Sequence, residues 1–462
     1  MTSERICLVN VVGLTPELIG EHTPNIQSMV DKRGSNGAQP LEGVTPGVTL
    51  TAQASVLTGT EPAEHGAVAN GWLYDTQEIR VWQQARQLMQ GETIYEAANE
   101  EFGDSFTTAL LFSWFSQGAL DADYRVIPKP WYGSDGSKEF DIHGAPGSYV
   151  EDLTDDLGEF PFHTFWGPES GSGATEWIAD ATAKTLRERQ PNLTISYLPV
   201  LDYPFQKYGP NHRKSREALA TLDEYVGRIR EAAEETDTKL VLFSEYGITP
   251  VSRPVHLNRL FREQGWLAVR YGPFGEQLDV HQSEVFAVAD HQIAHVYVRD
   301  PDRISTVKSL LSDVGGVGEV WDEAEKEDHG LDHPRSGDLV ALAERDSWFT
   351  YYFWFNDDRA PDYARSVAIH DKPGYDPVEM FYDPELRYPK LKAGLSLAKK
   401  KLGFRYRMSV IPLDASLIQG SHGLPPESPS KGPVLVSPDM TPPEDPTMTD
   451  IKPWLLEQYR SE

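Results

Sequence analysis

The sequence has little of three things: cysteine, long apolar runs and positive charge. Its single cysteine, Cys7, allows neither an internal disulfide nor a cysteine-based zinc site. No run of about eighteen apolar residues occurs, so no transmembrane helix is predicted. The N-terminal segment carries a short apolar run without the basic stretch and cleavage site of a signal peptide. Together these absences predict a cytoplasmic location.

The charge balance narrows the possible partners. Lysine and arginine number 42 against 71 aspartates and glutamates, which gives the 462 residues a net charge of −29. A surface this negative repels nucleic-acid phosphates and anionic lipid heads, so neither nucleic acid nor a membrane surface is an expected partner. A small phosphate ester can still bind in a locally positive or metal-filled pocket. The apolar share of 39% is enough for a sizeable core.

Strand-like and helical segments alternate through the first half of the chain. The strand-like runs are short, continuous and rich in β-branched residues, which is typical of buried strands: 6–14, 193–203 and 239–247. The helical segments show cap residues or glycine stops: 23–34, 49–59 and 216–236. This alternation predicts an α/β fold with a mostly parallel sheet that helices cover on both faces.

The second half of the chain is less regular. Segments 284–300 and 336–354 are predicted as strands, and a Tyr-, Phe- and Pro-rich stretch at about 351–416 is predicted as an insertion. The insertion would belong to a catalytic domain spanning 1–423. Residues 424–462 are Pro-rich and are predicted to follow the surface as an extended C-terminal segment.

Two histidines in the segment 284–300 are spaced like the ligands of helical zinc sites. His291 and His295 lie four residues apart, but the segment is predicted as a strand. Four strand residues separate the two side chains by about 13 Å, too far for them to share one ion. The pair is therefore rejected as a metal site.

Polar residues follow the predicted strands at the sheet edge where ligands of open α/β folds bind. Asp202 ends the strand at 193–203, Glu245 and Tyr246 follow the apolar run of the third strand, and His422 stands between glycines late in the chain. Thr49 heads a predicted helix after a Gly-rich turn. Carboxylates, an imidazole and a hydroxyl are a donor set suited to a divalent cation. Helix capping is the plain alternative for Thr49.

Four segments resemble a known family in their order and rough spacing: “HTPNIQSMVDKRG”, “VTLTAQASVLTGTEPAEHGAVANG”, “DYPFQKYGP” and “SEYGITPV”. They resemble the type I phosphodiesterase/nucleotide pyrophosphatase family of the alkaline phosphatase superfamily. The resemblance covers most of residues 5–250. It implies an alkaline-phosphatase-like three-layer sandwich with a central, mostly parallel sheet and insertions.

The resemblance also implies a mechanism and a site. Thr49 would be the nucleophile and form a covalent phosphothreonine, and Asn70 would contact the phosphate. A turn role is the plain alternative for Asn70, which precedes a glycine. Two metal ions would assist, held by residues from strand ends and loops: Asp202, Gln206, Glu245, Tyr246 and either His422 or His370.

The chain departs from the family pattern at several of these positions. Val12 stands where the family has an aspartate, and an amide and a phenol replace imidazoles at Gln206 and Tyr246. His422, in “GSHG”, is favoured as the late histidine over His370, in “IHDKPGYDPVEM”. Such replacements weaken zinc binding and favour oxygen-rich coordination. The identity of the ion, whether Zn²⁺, Mg²⁺ or Mn²⁺, remains open. Whether the site holds one ion, two ions or none remains open as well.

The leading functional prediction is a metal-dependent phosphoesterase that acts on a small phosphate- or phosphonate-containing substrate through Thr49. The bond it hydrolyses would be a phosphodiester, pyrophosphate or phosphonate bond. The alternative is a catalytically impaired pseudo-enzyme that binds a phosphate-containing ligand or serves as a pathway scaffold, which Val12, Gln206 and Tyr246 favour. The sequence carries no signal for the oligomeric state.

Overall fold

The computed structural model describes residues 4–33, 37–134, 138–388 and 409–460, together with positions 391, 394 and 398. Part of the predicted insertion at about 351–416 lies outside the described residues. Every residue predicted for the site lies inside them, and most of these side chains are buried.

The strands, in chain order, are β1 Ile6–Val11, β2 Ala38–Pro40, β3 Gly71–Leu73, β4 Ile79–Val81, β5 Thr108–Leu111, β6 Tyr124–Pro128, β7 Trp131–Tyr132, β8 Lys138–Glu139, β9 Ile142–Ala145, β10 Leu193–Leu198, β11 Lys239–Phe243, β12 Thr249–Pro250, β13 Arg253–Val255, β14 Val269–Gly272, β15 Gly275–Leu278, β16 Val285–Asp290, β17 Ile293–Val298, β18 Val317–Trp321, β19 Leu339–Ala343, β20 Ser347–Phe349, β21 Gly420–Ser421 and β22 Val434–Val436.

The α-helices are α1 Pro24–Arg33, α2 Thr49–Thr58, α3 Pro62–His65, α4 Ile94–Phe102, α5 Gly147–Leu157, α6 Gly173–Glu188, α7 Asp202–Tyr208, α8 Arg213–Glu235, α9 Leu257–Glu263, α10 Ile304–Ser312, α11 Glu323–Asp328 and α12 Ile451–Arg460. Short 3-10 helices are Pro16–Leu18, Arg86–Leu88, Phe162–Thr164, Pro301–Arg303, Asp357–Arg359, Asp362–Arg365, Pro377–Met380, Ala415–Leu417, Pro429–Lys431 and Met448–Asp450.

A central sheet of eight strands organises the fold, in the order β2-β22-β11-β1-β10-β5-β6-β9. The five strands from β11 to β6 run parallel, and antiparallel pairs close both sides. The predicted strands at 6–14, 193–203 and 239–247 are the three central ones, β1, β10 and β11. Their side chains are buried on both faces, which explains their continuous apolar sequences. The predicted α/β class is confirmed.

Helices cover both faces of this sheet. One buried cluster joins β1 to helices α1, α5, α6 and α8, through residues such as Ile26, Trp177 and Leu222. A second cluster on the opposite face joins β1 to α2, α4 and α12. Helix α2 is buried along its whole length and ends at Gly59, whose φ of 70° glycine adopts without strain. The three layers therefore hold the start of α2 directly over the sheet.

A smaller antiparallel sheet has the strand order β16-β17-β19-β18. Here the structure corrects the prediction of one strand across 284–300. The chain reverses at His291 and Gln292, so that β16 and β17 form a hairpin with a two-residue turn. Three consecutive polar residues, Asp290 to Gln292, interrupt the apolar run and permit this reversal.

The Pro-rich segment after residue 423 is tied into the molecule at two places. Strand β22 pairs antiparallel with both β2 and β11, and so lies inside the central sheet. Helix α12 buries Trp454, Leu455 and Leu456 in the same cluster as α2. Prolines cannot donate ladder hydrogen bonds, and the pairing uses the short proline-free run Val434–Val436. The division between a domain at 1–423 and an extension at 424–462 stays a prediction.

Candidate active site

The candidate site lies beyond the carboxyl ends of β1, β10 and β11. Asp202 is the first residue of α7, close after β10, and Glu245 lies two residues beyond β11. Thr49 is the first residue of α2, and His422 directly follows β21. Because parallel strands end at one edge of the sheet, these four residues come together from distant parts of the chain.

Thr49 does not cap its own helix. The N-cap of α2 is Val48, in an extended conformation, and no side chain caps the helix from that position. The Thr49 hydroxyl instead donates to Oε2 of Glu245 at 2.9 Å and lies 3.2 Å from the phenol oxygen of Tyr246. The side chain is 2% exposed. A capping role is thus excluded, and the hydroxyl points into a polar interior.

Neutral donors surround the carboxyl group of Glu245. Its Oε1 accepts hydrogen bonds from Nδ2 of Asn10 and from Nε2 of Gln53, the latter at 2.7 Å, while Oε2 accepts from Thr49. Asn10 is in register with Phe243, which places its amide beside the end of β11. Burial raises the pKa of Glu245 to about 8, against the lowering effect of these hydrogen bonds.

Asp202 is the centre of a neighbouring pocket. Its Oδ2 accepts from Nε2 of Gln206 at 2.9 Å, because the i, i+4 spacing on α7 brings the two side chains together. Its Oδ1 accepts from the Tyr246 hydroxyl at 3.3 Å and lies 3.8 Å from Nε2 of His422. Burial raises the pKa of Asp202, and the nearby imidazole of His291 opposes that rise.

His422 presents an unpartnered nitrogen to this pocket. Its Nδ1 lies 2.8 Å from the carbonyl oxygen of Gly47, which can only accept, so Nδ1 carries the proton. Nε2 is buried and has no hydrogen-bond partner within the described part of the chain. Burial lowers the pKa of His422 well below its usual value, helped by the neighbouring His291. The imidazole is therefore neutral, with a free lone pair on Nε2.

Asn70 connects the start of α2 to the hairpin β16–β17. Its Oδ1 accepts from the backbone N–H of Leu50 at 3.0 Å, and its Nδ2 donates to Asp290 at 3.1 Å. The backbone N–H of Asn70 also donates to Asp290, at 2.7 Å. An amide nitrogen has two hydrogens, and the bond to Asp290 uses one of them. The predicted phosphate contact of Asn70 remains a prediction.

The two candidate late histidines occupy different surroundings. His422 lies against Asp202, whereas Nδ1 of His370 lies 3.1 Å from the carbonyl oxygen of Val81. No hydrogen bond or ion pair joins His370 to the other candidates among the described residues. His422 therefore lies beside Asp202 and His370 does not, while the preference for His422 as a ligand stays a prediction.

Several residues at the site had no predicted role there. Asn10 and Gln53 donate to Glu245, and the Tyr375 hydroxyl donates to Oε1 of Gln206 at 3.1 Å. The His291 ring lies at 38° to the His422 ring, with centroids 3.8 Å apart. In the sequence, the one sign of a special position for His291 was that it lies in a short polar interruption between two apolar runs. Gln53 lies four residues after Thr49 and therefore on the same helix face.

Comparison with known families decides the classification. The sequence matches the profile of the type I phosphodiesterase/nucleotide pyrophosphatase family over residues 6–376. The chain belongs to this family. Family membership supports a phosphoesterase- or pyrophosphatase-like hydrolase. Among curated proteins, no sequence match was found.

Solved structures of superfamily members share the fold. Phosphonoacetate hydrolase from Sinorhizobium meliloti 1021, solved with phosphonoformate and with phosphonoacetate, is 15% identical with a TM-score of 0.61, covering 99% of this chain and 96% of its own. Murine ectonucleotide pyrophosphatase/phosphodiesterase 5 is 12% identical with a TM-score of 0.59, covering 99% and 95%. An inactive threonine-to-alanine variant of the murine protein was solved with AMP, with a TM-score of 0.58. The predicted alkaline-phosphatase-like architecture is confirmed.

The two cation positions implied by the family do not fit this chain equally well. Val12 packs into a hydrophobic cluster on one face of the sheet, and the carboxyl group of Glu245 already accepts hydrogen bonds from the neutral amides of Asn10 and Gln53. The pocket around Glu245 therefore does not fit a cation. Near Asp202, the unpartnered Nε2 of His422 lies 3.8 Å from a carboxylate oxygen. A carboxylate oxygen and an imidazole nitrogen therefore face each other here, and they are the two donor atoms that an ion in this pocket would use.

A ready-made metal cage is absent in the part of the chain that the structure describes, where no three His, Cys, Asp or Glu side chains are already arranged to hold an ion. A cleft of roughly 1180 Å³ is lined by Gly47, Glu245, Tyr246 and parts of the Pro-rich segment, whereas Thr49, Asp202 and His422 do not line it. None of the described helices combines the length and apolar character needed to cross a bilayer.

Proposed function

We propose that this chain is a metal-dependent phosphoesterase that hydrolyses a small phosphodiester, pyrophosphate or phosphonate through Thr49. The observation that carries the proposal is the 2.9 Å hydrogen bond from the Thr49 hydroxyl to Glu245 at the start of α2. A hydroxyl is a weak nucleophile until a base or a metal takes its proton, and Glu245 is placed to be that base. Phosphonate and AMP ligands in the similar structures support this substrate class.

The proposed reaction has two steps that balance in protons. Oγ1 of Thr49 gives its proton to Glu245 and forms a bond to phosphorus, while the bond from phosphorus to the leaving atom breaks; this atom is an oxygen in a phosphodiester or pyrophosphate and a carbon in a phosphonate. A water molecule then attacks phosphorus, the Oγ1–phosphorus bond breaks, and Glu245 returns its proton to Thr49. The proton released by the water neutralises the leaving atom.

Other residues of the site would position the substrate. The positive end of the α2 dipole faces the phosphoryl group, and the remaining hydrogen of the Asn70 amide can donate to one of its oxygens. Asp202 and His422 would hold a divalent ion, which when bound supplies polarisation of the phosphoryl oxygens. The cleft beside Glu245 and Tyr246 provides room for the leaving group.

The decisive experiment compares two threonines of the same helix. We expect Thr49→Ala to lower kcat/KM for bis(4-nitrophenyl) phosphate by on the order of 10³-fold or more, since the attacking oxygen is lost. Assays would contain Zn²⁺, Mn²⁺ or Mg²⁺. Thr51→Ala is the matched control, because Thr51 is equally buried on α2 but its hydroxyl has no partner within the described residues. Undiminished activity in Thr49→Ala would refute the proposal.

The pseudo-enzyme alternative rests on specific features of the same site. Tyr246 stacks on His422 at 3.6 Å between the two pockets, where the family places an imidazole, and Thr49 is almost fully buried. If the wild-type protein turns over no aryl phosphodiester with any of the three ions but binds phosphonoacetate or AMP in calorimetry, this alternative is correct.

A further inference from the structure

A second cavity lies next to helix α9, and the proposed mechanism does not use it. Its volume of roughly 510 Å³ is typical of a small-molecule site. The walls come from α9, from the segment that follows strand β20 and from the 3-10 helix Ala415–Leu417. The candidate active-site residues, all of them within the described ranges, do not line this cavity. Hydrogen bonds of 2.8 and 2.7 Å between Asn258 and Ala287 fix α9 to strand β16 and so hold this wall in place.

Arg259 brings a positive charge to the cavity. Its Nε donates to the carbonyl oxygen of Trp354 at 2.7 Å, and its guanidinium lies 5.7 Å from the ring centroid of Tyr352. The two terminal nitrogens donate no hydrogen bond within the described residues, and one of them lies 3.9 Å from Oδ1 of Asp357. Burial lowers the pKa of Arg259, so its charge is only partly compensated. The planar fork of N–H groups is therefore available to a carboxylate.

The hydroxyl of Tyr352 is a second unused group in the cavity wall. The side chain is 1% exposed, and its hydroxyl oxygen is buried with no hydrogen-bond partner in the part of the chain that the structure describes. Buried polar atoms almost always find a partner, so this one calls for an explanation. His256 stacks parallel to the Tyr352 ring, with centroids 5.8 Å apart, and Nδ1 of His256 lies 2.7 Å from Oγ1 of Thr350. These contacts fix the orientation of the phenol.

Two carboxylates add acceptors to the same cavity. Oδ1 of Asp357 accepts from Nε1 of Trp354 at 2.9 Å. Oδ1 of Asp414 accepts from the N–H and the hydroxyl of Ser416, while Oδ2 of either carboxylate has no hydrogen bond among the described residues. Phe355, a lining residue with 53% of its surface exposed, supplies an apolar face. The cavity thus offers donors, acceptors and an apolar surface to one ligand.

We propose that this cavity binds a free α-amino acid with an apolar side chain. Arg259 and the hydroxyl of Tyr352 donate to the carboxylate of the ligand. Its ammonium group donates to Asp357 and Asp414, and its side chain packs on Phe355. A lone anion or a lone cation would meet a like charge in this cavity, whereas a zwitterion can place each of its charges beside the opposite one. The proposal does not rest on the proposed function, because binding is measured without turnover.

The experiment compares L-phenylalanine with two analogues that each lack one of its charges. Calorimetric titrations of the full chain use L-phenylalanine, 3-phenylpropionate, which has no ammonium group, and 2-phenylethylamine, which has no carboxylate. We expect saturable binding of L-phenylalanine with a Kd below about 1 mM. Each analogue should bind at least about 10-fold more weakly, since the hydrogen bonds to one charged group are lost.

Substitutions then locate the binding site. Arg259→Gln should weaken the binding of L-phenylalanine by at least about 10-fold, and Tyr352→Phe, which removes only the hydroxyl oxygen, by about 3–10-fold. Arg253→Gln is the matched control, because Arg253 pairs with Glu344 at 3.3 Å and does not line the cavity. This control should keep the wild-type affinity. Circular dichroism of the ligand-free proteins identifies a variant that fails to fold, and if Arg259→Gln does so, Tyr352→Phe decides.

Several outcomes would overturn the assignment. These are the absence of saturable binding of L-phenylalanine at millimolar concentrations, equally tight binding of either analogue, and unchanged affinity in folded Arg259→Gln or Tyr352→Phe. An equal loss of affinity in Arg253→Gln would also overturn it, because the effect would then follow net charge rather than the cavity. The hydrolase proposal is tested separately through Thr49, so either proposal can fail while the other stands.

Discussion

The pocket around Glu245 and the pocket around Asp202 meet at Thr49. The polar groups in these two pockets differ in their hydrogen bonding. On one side, Asn10, Gln53 and Thr49 donate to the carboxyl group of Glu245. On the other side, Nε2 of His422 lies 3.8 Å from Asp202 and has no hydrogen-bond partner among the described residues. The same sheet edge therefore holds one carboxyl group bonded by neutral donors and one carboxyl group beside a histidine nitrogen without such a partner.

The difference shows how a metal pocket can turn into a hydrogen-bond network. Tyr246 stands between the two, with its hydroxyl 3.2 Å from Thr49 and 3.3 Å from Asp202. The amides of Asn10 and Gln53 donate hydrogen bonds to the buried carboxyl group of Glu245, and the phenol of Tyr246 donates to that of Asp202. In the proposed mechanism, Glu245 accepts a proton instead of binding a cation.

The largest expected effect is on the zinc content of the protein, which should change with a substitution in the Asp202 pocket but not with one in the Glu245 pocket. Asp202→Asn removes the only carboxylate of the proposed ion site, so zinc affinity should fall by more than about 100-fold. Glu245→Gln is the matched change in the other pocket and should leave about one zinc per chain. Zinc analysis after dialysis measures both. Loss of zinc in Glu245→Gln would show that the comparison is wrong.

The next effect concerns the rate and its dependence on pH. Glu245 can accept a proton only when ionised, and its pKa is raised to about 8. Wild-type kcat/KM should therefore rise as pH increases through about 8. Glu245→Gln should lower kcat/KM by about 10²–10⁴-fold and remove this inflection. An inflection near 8 that persists in Glu245→Gln would assign it to another group.

A smaller effect should appear in thermal stability. The folded-state pKa of Glu245, about 8, lies above its unfolded value, so between pH 4.5 and pH 8 the folded state binds the extra proton. Stability should then fall as pH rises through this window, with the melting temperature dropping by on the order of 2–5 °C in EDTA. Glu245→Gln should flatten the slope without abolishing it, because the pKa of Asp202 is raised as well.

The smallest expected effect tests whether one imidazole can restore the second position. In Tyr246→His the new ring enters a pocket where Asn10 and Gln53 still bind Glu245, so zinc content should stay at about one ion per chain. Gln206→His adds an imidazole beside Asp202 instead, and should tighten zinc binding there. A second ion in Tyr246→His would mean that Tyr246 alone closes the pocket.

The sequence was enough to predict the fold and the meeting of the main candidates. Period and composition identified β1, β10 and β11, and the rule that ligands bind at the carboxyl ends of parallel strands grouped Thr49, Asp202, Glu245 and His422 before any coordinates. The resemblance added Asn70, Gln206 and His370. These residues follow from local patterns that tertiary contacts did not override.

The positions of the remaining site residues depend on strand register and on turn geometry. Asn10 reaches Glu245 because β1 and β11 pair in a particular register, which composition does not specify. His291 was rejected with His295 on the expectation of one straight strand, and the pair indeed binds different partners. The two-residue turn nevertheless delivers His291 to the site, and a single polar interruption was the only sign of it.

Strand β22 links the far segment of the chain to its beginning, since Val436 pairs with both Ala38 and Leu242. During synthesis, β2 and β11 emerge long before the strand that separates them. Until Val434–Val436 leaves the ribosome, two unpaired backbone edges stay open to wrong partners. The central sheet is therefore completed only when a loop that spans most of the polypeptide closes.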